Sequence, residues 1–129
     1  MTKQQAIDLA LRAKQTAKEA QETADRLRDE YEAASFTTDK EKDAANEALK
    51  TLRRAIEDGN VYDVEEAVNA TAQARRRLAK AQASEEAKAA AAAIAEAEAK
   101  KAAKAADKAM LTAIEVAEKE LFPPKQPKP

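Results

Sequence analysis

Ala6, Ala10, Ala13, Ala17, Ala20, Ala24, Leu27, Tyr31 and Ala34 recur at alternating spacings of four and three, with mostly polar residues between them. That rhythm predicts a long helix, from about residue 3 to 34, with one narrow apolar seam. The seam is almost wholly alanine, so a neighbouring helix can come close. Thr2 and Gln5 have capping-box spacing at its start. Ile7, Leu9 and Leu11 widen the apolar surface near this end.

Ser35 to Thr38 reads as a short connection. Thr38 with Glu41 repeats the capping-box spacing, and Phe36 is placed to staple the start of a second helix over 38–58. In that helix Ala45, Leu49, Leu52 and Ile56 set the apolar stripe, flanked by Ala48 and Ala55. Gly59 suits the left-handed position after a helix end, and Asn60 or Asp63 suits the next N-cap. A third helix over 61–83 carries Val64, Ala67, Thr71, Ala74, Leu78 and Ala81 on one stripe. Ser84-Glu85-Glu86 resembles a further N-cap with acids in the first turn, opening a fourth helix over 85–121. No glycine or proline marks that boundary, so the alternative of one continuous rod of about 60 residues stays open. The fourth helix shows two rhythms. Ala83, Ala87, Ala90 and Ile94 keep one phase; Ala99, Ala103, Ala106, Met110, Ala113, Ala117 and Leu121 keep another. The change of phase predicts a local change of twist or partner. Phe122-Pro123-Pro124 ends the helix.

The expected fold is therefore all-α: an elongated antiparallel helical bundle of three to four helices with alanine-rich, coiled-coil-like seams. It fills residues 1–122, and 123–129 form an extended Pro/Lys-rich tail. On these lengths the middle helices are too short to cover the outer two. The start of the first helix and the end of the last then project together with fewer layers around them. Ile7, Leu11, Met110, Leu111, Ile114 and Leu121 concentrate there and form the candidate partner surface.

Composition narrows the chemistry. Alanine supplies 35 of the 129 residues, and charged residues make up 36%. Histidine and cysteine are absent, which removes the usual ligands of zinc, haem and iron–sulfur sites, and also thiolate and imidazole catalysis. The carboxylates alternate with lysines and arginines at helical spacing and read as solvated ion-pair faces. The two serines, Ser35 and Ser84, stand at expected helix boundaries, and a single glycine cannot build a phosphate cradle. Asn69-Ala70-Thr71 has the glycosylation pattern but falls inside an expected helix. The chain is expected to be no enzyme and to need no cofactor, metal or small-molecule substrate.

With a net charge of −1, the chain has no long-range field to attract nucleic acid or an anionic membrane. The densest basic groups are Arg53-Arg54 and Arg75-Arg76-Arg77. Three consecutive residues fan around a helix instead of forming one face. No apolar run has the length of a membrane span, and the first residues show no signal-peptide core. The expected setting is soluble, either cytoplasmic or virion-associated. The sequence thus points to a structural or adaptor protein that binds a protein partner or itself along helical seams. An accessory component of a larger assembly, such as a virion or a surface stalk, fits this description. The alternative is a nucleic-acid-associated helical protein contacting its ligand through Arg53, Arg54, Arg75, Arg76 and Arg77.

Overall fold

The computed structural model describes residues 1–125 and is all-α. Its two helices are α1 (Lys3–Asp58) and α2 (Val61–Leu121). The capping box at the start of α1 is formed. The Thr2 N–H donates to Gln5 Oε1 at 2.9 Å, and the Gln5 N–H donates to Thr2 Oγ1 at 3.2 Å. α1 ends at Gly59, whose φ of 72° lies in the left-handed region. Its N–H is shared between the carbonyls of Ala55 and Ile56, at 3.1 and 3.2 Å. Asn60 then caps α2, its Oδ1 accepting the N–H groups of Tyr62 and Asp63 at 3.0 and 3.3 Å.

Nothing lies within 4 Å of a Cβ built on Gly59, so the cost of a side chain there is one of backbone conformation. Gly59→Ala is expected to destabilise by about 1 kcal/mol. Chemical denaturation measures this, and an unchanged midpoint would contradict the left-handed cap.

Two helices stand where three to four were expected. The break foreseen over 35–38 is absent. No glycine or proline stops the helix there, and the threonines turn their hydroxyls back onto it. Thr37 Oγ1 donates to the Ala33 carbonyl and Thr38 Oγ1 to the Ala34 carbonyl, both at 3.1 Å. Thr38 is buried on the packed face and caps nothing. Phe36 stays exposed, with Lys40 Nζ 4.7 Å from its ring centroid. α2 also runs unbroken through Ser84, so the continuous alternative holds there.

The chain divides into two compact units. One is Leu27–Ala92, which contains the Gly59 turn. Here the packed face of α1 is Leu27, Tyr31, Ala34, Thr38, Glu41, Ala45, Ala48, Leu52 and Ala55, all buried or half-buried. The four-three spacing of Ala6–Ala34 thus continues without interruption. The stripe expected over 45–56 was half out of phase. Ala48 and Ala55 pack, while Leu49 and Ile56 are exposed. On α2, Val64, Ala67, Thr71, Ala74, Leu78 and Ala81 all lie on the packed face. The buried Thr71 hydroxyl is shared between the Ala67 carbonyl at 2.7 Å and the Ala48 carbonyl at 3.2 Å, tying α2 to α1. Arg77 Nε lies 3.5 Å from Glu41 Oε2.

The second unit is Met1–Arg26 with Ala93–Pro129. The Lys3 N–H donates to Glu120 Oε1 at 3.3 Å. On α1, Ala6 and Ala24 are buried, and Ala10, Ala13, Ala17 and Ala20 half-buried. On α2, Ala95, Ala99, Ala102, Ala106, Ala109, Ala113 and Val116 are buried or half-buried. The expected rhythm of this helix needs correction. Ala83, Ala87, Ala90 and Ile94 are exposed, as are Ala103, Met110 and Leu121. The four-three spacing passes through Ala92, Ala95 and Ala99 with no change of phase.

Among the described residues, all ten buried hydrophobic residues are alanines, and no large side chain is fully buried. Burying an alanine stabilises by well under the ~1.5–3 kcal/mol of a leucine or isoleucine. The large aliphatic residues are mostly elsewhere.

Candidate interaction surface

Helix geometry sorts the exposed aliphatic residues. Each residue advances about 100° around the axis. The residue just after a packed position therefore lies on one flank of the helix, and the residue just before it on the other. In an antiparallel pair, the "after" flanks of both helices face the same way.

In the unit Met1–Arg26 with Ala93–Pro129, the "before" flank forms shallow grooves. One is lined by Leu9 of α1 with Ala105, Lys108 and Thr112 of α2, another by Thr16, Glu19 and Thr23 with Glu98. The "after" flank is different. Ile7 follows Ala6, Leu11 follows Ala10, Met110 follows Ala109 and Ile114 follows Ala113, and Leu121 lies two turns beyond Ile114 on the same side of α2. Ile7 is half-buried and the other four are exposed. Five of the six residues of the candidate partner surface thus share one flank of one unit. Leu111 is also exposed but lies one step further round the helix. A short middle hairpin does not leave these residues uncovered, as the expected helix lengths implied: α1 and α2 are of similar length, 56 and 61 residues, and no such hairpin forms. What places these residues outside is their step from the alanine face.

Leu49, Ile56, Val61 and Val68, in the unit Leu27–Ala92, occupy the corresponding flank there and are exposed. Leu49 and Ile56, expected on the inner stripe, are outside. The available signal was the phase of Ala34, carried forward through Thr38.

The arginines of the nucleic-acid alternative lie in the same unit and are exposed. Arg75, Arg76 and Arg77 are consecutive on α2 and fan around it, with Arg77 paired to Glu41. Arg54 shares a groove with Asp58, Asp63 and Glu66. The structure does not gather the five into one basic face. Among the described residues no group of three or more acidic side chains is placed to hold a metal ion, and no helix is long and apolar enough to cross a membrane. The final residues of the expected tail, 126–129, lie outside the described residues; Pro123, Pro124 and Lys125 are non-helical and exposed.

Comparison with known protein families, with characterised proteins and with solved structures finds no match for this chain.

Proposed function

We propose that this chain is a non-enzymatic structural or adaptor protein. In this reading α1 and α2 pack as an antiparallel coiled coil, and its flank of large aliphatic side chains docks a helical protein surface. One observation carries the reading: alanine fills the inside, while Leu11, Met110, Ile114 and Leu121 stand together outside. Large aliphatic residues gathered on one flank mark a protein-binding surface more often than a solvated one. Alanine on the inner face fits the same division, since it brings two helices together while leaving the larger side chains for another contact.

A photo-reactive amino acid at Ile114, in the chain expressed in cells, tests the proposal. A covalent adduct with a polypeptide is expected. The same probe at Lys104, on the outer side of α2, is the control and should give none. No adduct at Ile114, or equal adducts at both positions, would refute the reading. Leu111→Glu with Leu121→Glu gives a separate check. Both residues are exposed, so the thermal midpoint should move little, while the Ile114 adduct should diminish through the loss of Leu121. A fall of many degrees would mean that these side chains belong to the fold.

A further inference from the structure

We infer that the turn at Gly59-Asn60 is a device that confines the pairing of α1 with α2 to one chain and bars copies from exchanging helices in closed pairs. Exchange is the natural hazard of such a fold. The contacts that join the helices, such as the Thr71 hydroxyl on the Ala48 carbonyl and Arg77 beside Glu41, would be satisfied equally well by α1 of one copy and α2 of another. Only residues 59 and 60 interrupt the helix between Lys3 and Leu121. A chain straightened there would be one long rod, with both of its alanine-lined faces left for other copies.

The phase across the turn decides what such rods can do. In α1 the packed positions nearest the turn are Ala45, Ala48, Leu52 and Ala55; in α2 they are Val64, Ala67, Thr71 and Ala74. Carried forward at threes and fours, the α1 rhythm reaches 59, 62, 66, 69 and 73. From 62 onward, the packed positions of α2 fall one or two residues later each time. At about 100° per residue, that offset turns one face about 150° from the other in an unbroken helix. The two faces then point nearly opposite ways. One antiparallel copy covers only one of them, a second must cover the other, and the series never closes. Removing residues 59 and 60 cuts the offset to about 50°, so that a single antiparallel copy covers both. The turn therefore reverses the chain, and its length also keeps the straightened form out of phase with itself. Local chemistry favours the reversal. Gly59 adopts φ 72°, which alanine resists, and Asn60 caps the N–H groups of Tyr62 and Asp63. With nothing within 4 Å of a Cβ at Gly59, a substitution there acts on the backbone alone.

Cysteine pairing in the full chain tests this. The chain has no cysteine of its own, so Ala48→Cys/Thr71→Cys, once oxidised, reports which α1 lies beside which α2. Non-reducing gels read the products at about 100 μM protein, below the millimolar effective concentration that a short link provides. Circular dichroism confirms that each variant is helical. With the natural turn a one-chain product is expected. Gly59→Ala/Asn60→Ala favours an unbroken helix; it should lose most of the one-chain product and give a ladder of many chains. Deleting residues 59 and 60 should give a two-chain product and no ladder. Linked copies from the natural turn overturn the inference, as does a one-chain product from either variant. A ladder from the deletion, or a closed pair from the alanine variant, overturns it through the phase. None of these outcomes bears on the docking flank, because the disulfides report only the seam between α1 and α2.

Discussion

Asp39→Pro is expected to destabilise the chain by about 3 kcal/mol or more. Asp39 is exposed in the interior of α1, so the loss of its carboxylate matters little. Proline there removes a main-chain hydrogen bond, clashes with the carbonyl four residues earlier, and pushes Thr38 away from helical geometry. Had Thr38 been an N-cap, residue 39 would be the first helical position, where proline is well tolerated. The same substitution thus has opposite outcomes for one helix over Lys3–Asp58 and for two helices meeting at 35–38. Equilibrium unfolding in urea reads the difference, and a neutral or stabilised variant would restore the break.

Ala24→Leu should have the next largest effect. Ala24 is 0% exposed, so three added carbons have no space unless α1 and α2 separate locally. Overpacking of this kind costs about 1–3 kcal/mol. Ala103→Leu is the matched control. The four-three rhythm of α2 had included Ala103, yet it is exposed. Leucine there should change stability by only a few tenths of a kcal/mol, about the difference in helix propensity. Equal losses at the two positions would mean that the packed face of α2 is misassigned.

The contrast between these two alanines shows what could be read from the chain. In α1 the packed alanines alternate with charged and polar residues, so Ala6–Ala34 stands out against its neighbours and fixes the phase. Beyond Ala34 the phase continues through Thr38 and Glu41. Both residues are polar, and together they imitate a capping box. The larger Leu49 and Ile56 then draw the stripe one step off the true face. Side-chain size misled here, because the interior of this fold takes alanine in preference to leucine. In α2 the run 87–95 is alanine at every position but Lys88 and Ile94. A nearly uniform segment carries no phase of its own, and Ile94 supplied a false one. The N-terminal part of α2 is legible, because Val64, Thr71 and Leu78 break the monotony there. The candidate surface was found through the size and position of Ile7, Leu11, Met110, Ile114 and Leu121. Their common flank became visible only once the phase of α2 was known.

The division between an alanine inside and an aliphatic docking flank is tested most directly by hydroxyl-radical footprinting of the chain in its native assembly. Two matched pairs serve as internal standards. Leu11 is 62% exposed and Leu9, on the opposite flank, 46%; Ile114 is 48% exposed and Ile94, off the flank, 62%. On an isolated chain Leu11 should oxidise faster than Leu9, and Ile94 only slightly faster than Ile114. With the flank covered, the leucine order should invert and Ile114 should become strongly protected relative to Ile94. If Leu11 still reacts faster than Leu9 and Ile114 keeps pace with Ile94, the flank faces solvent and the account is wrong.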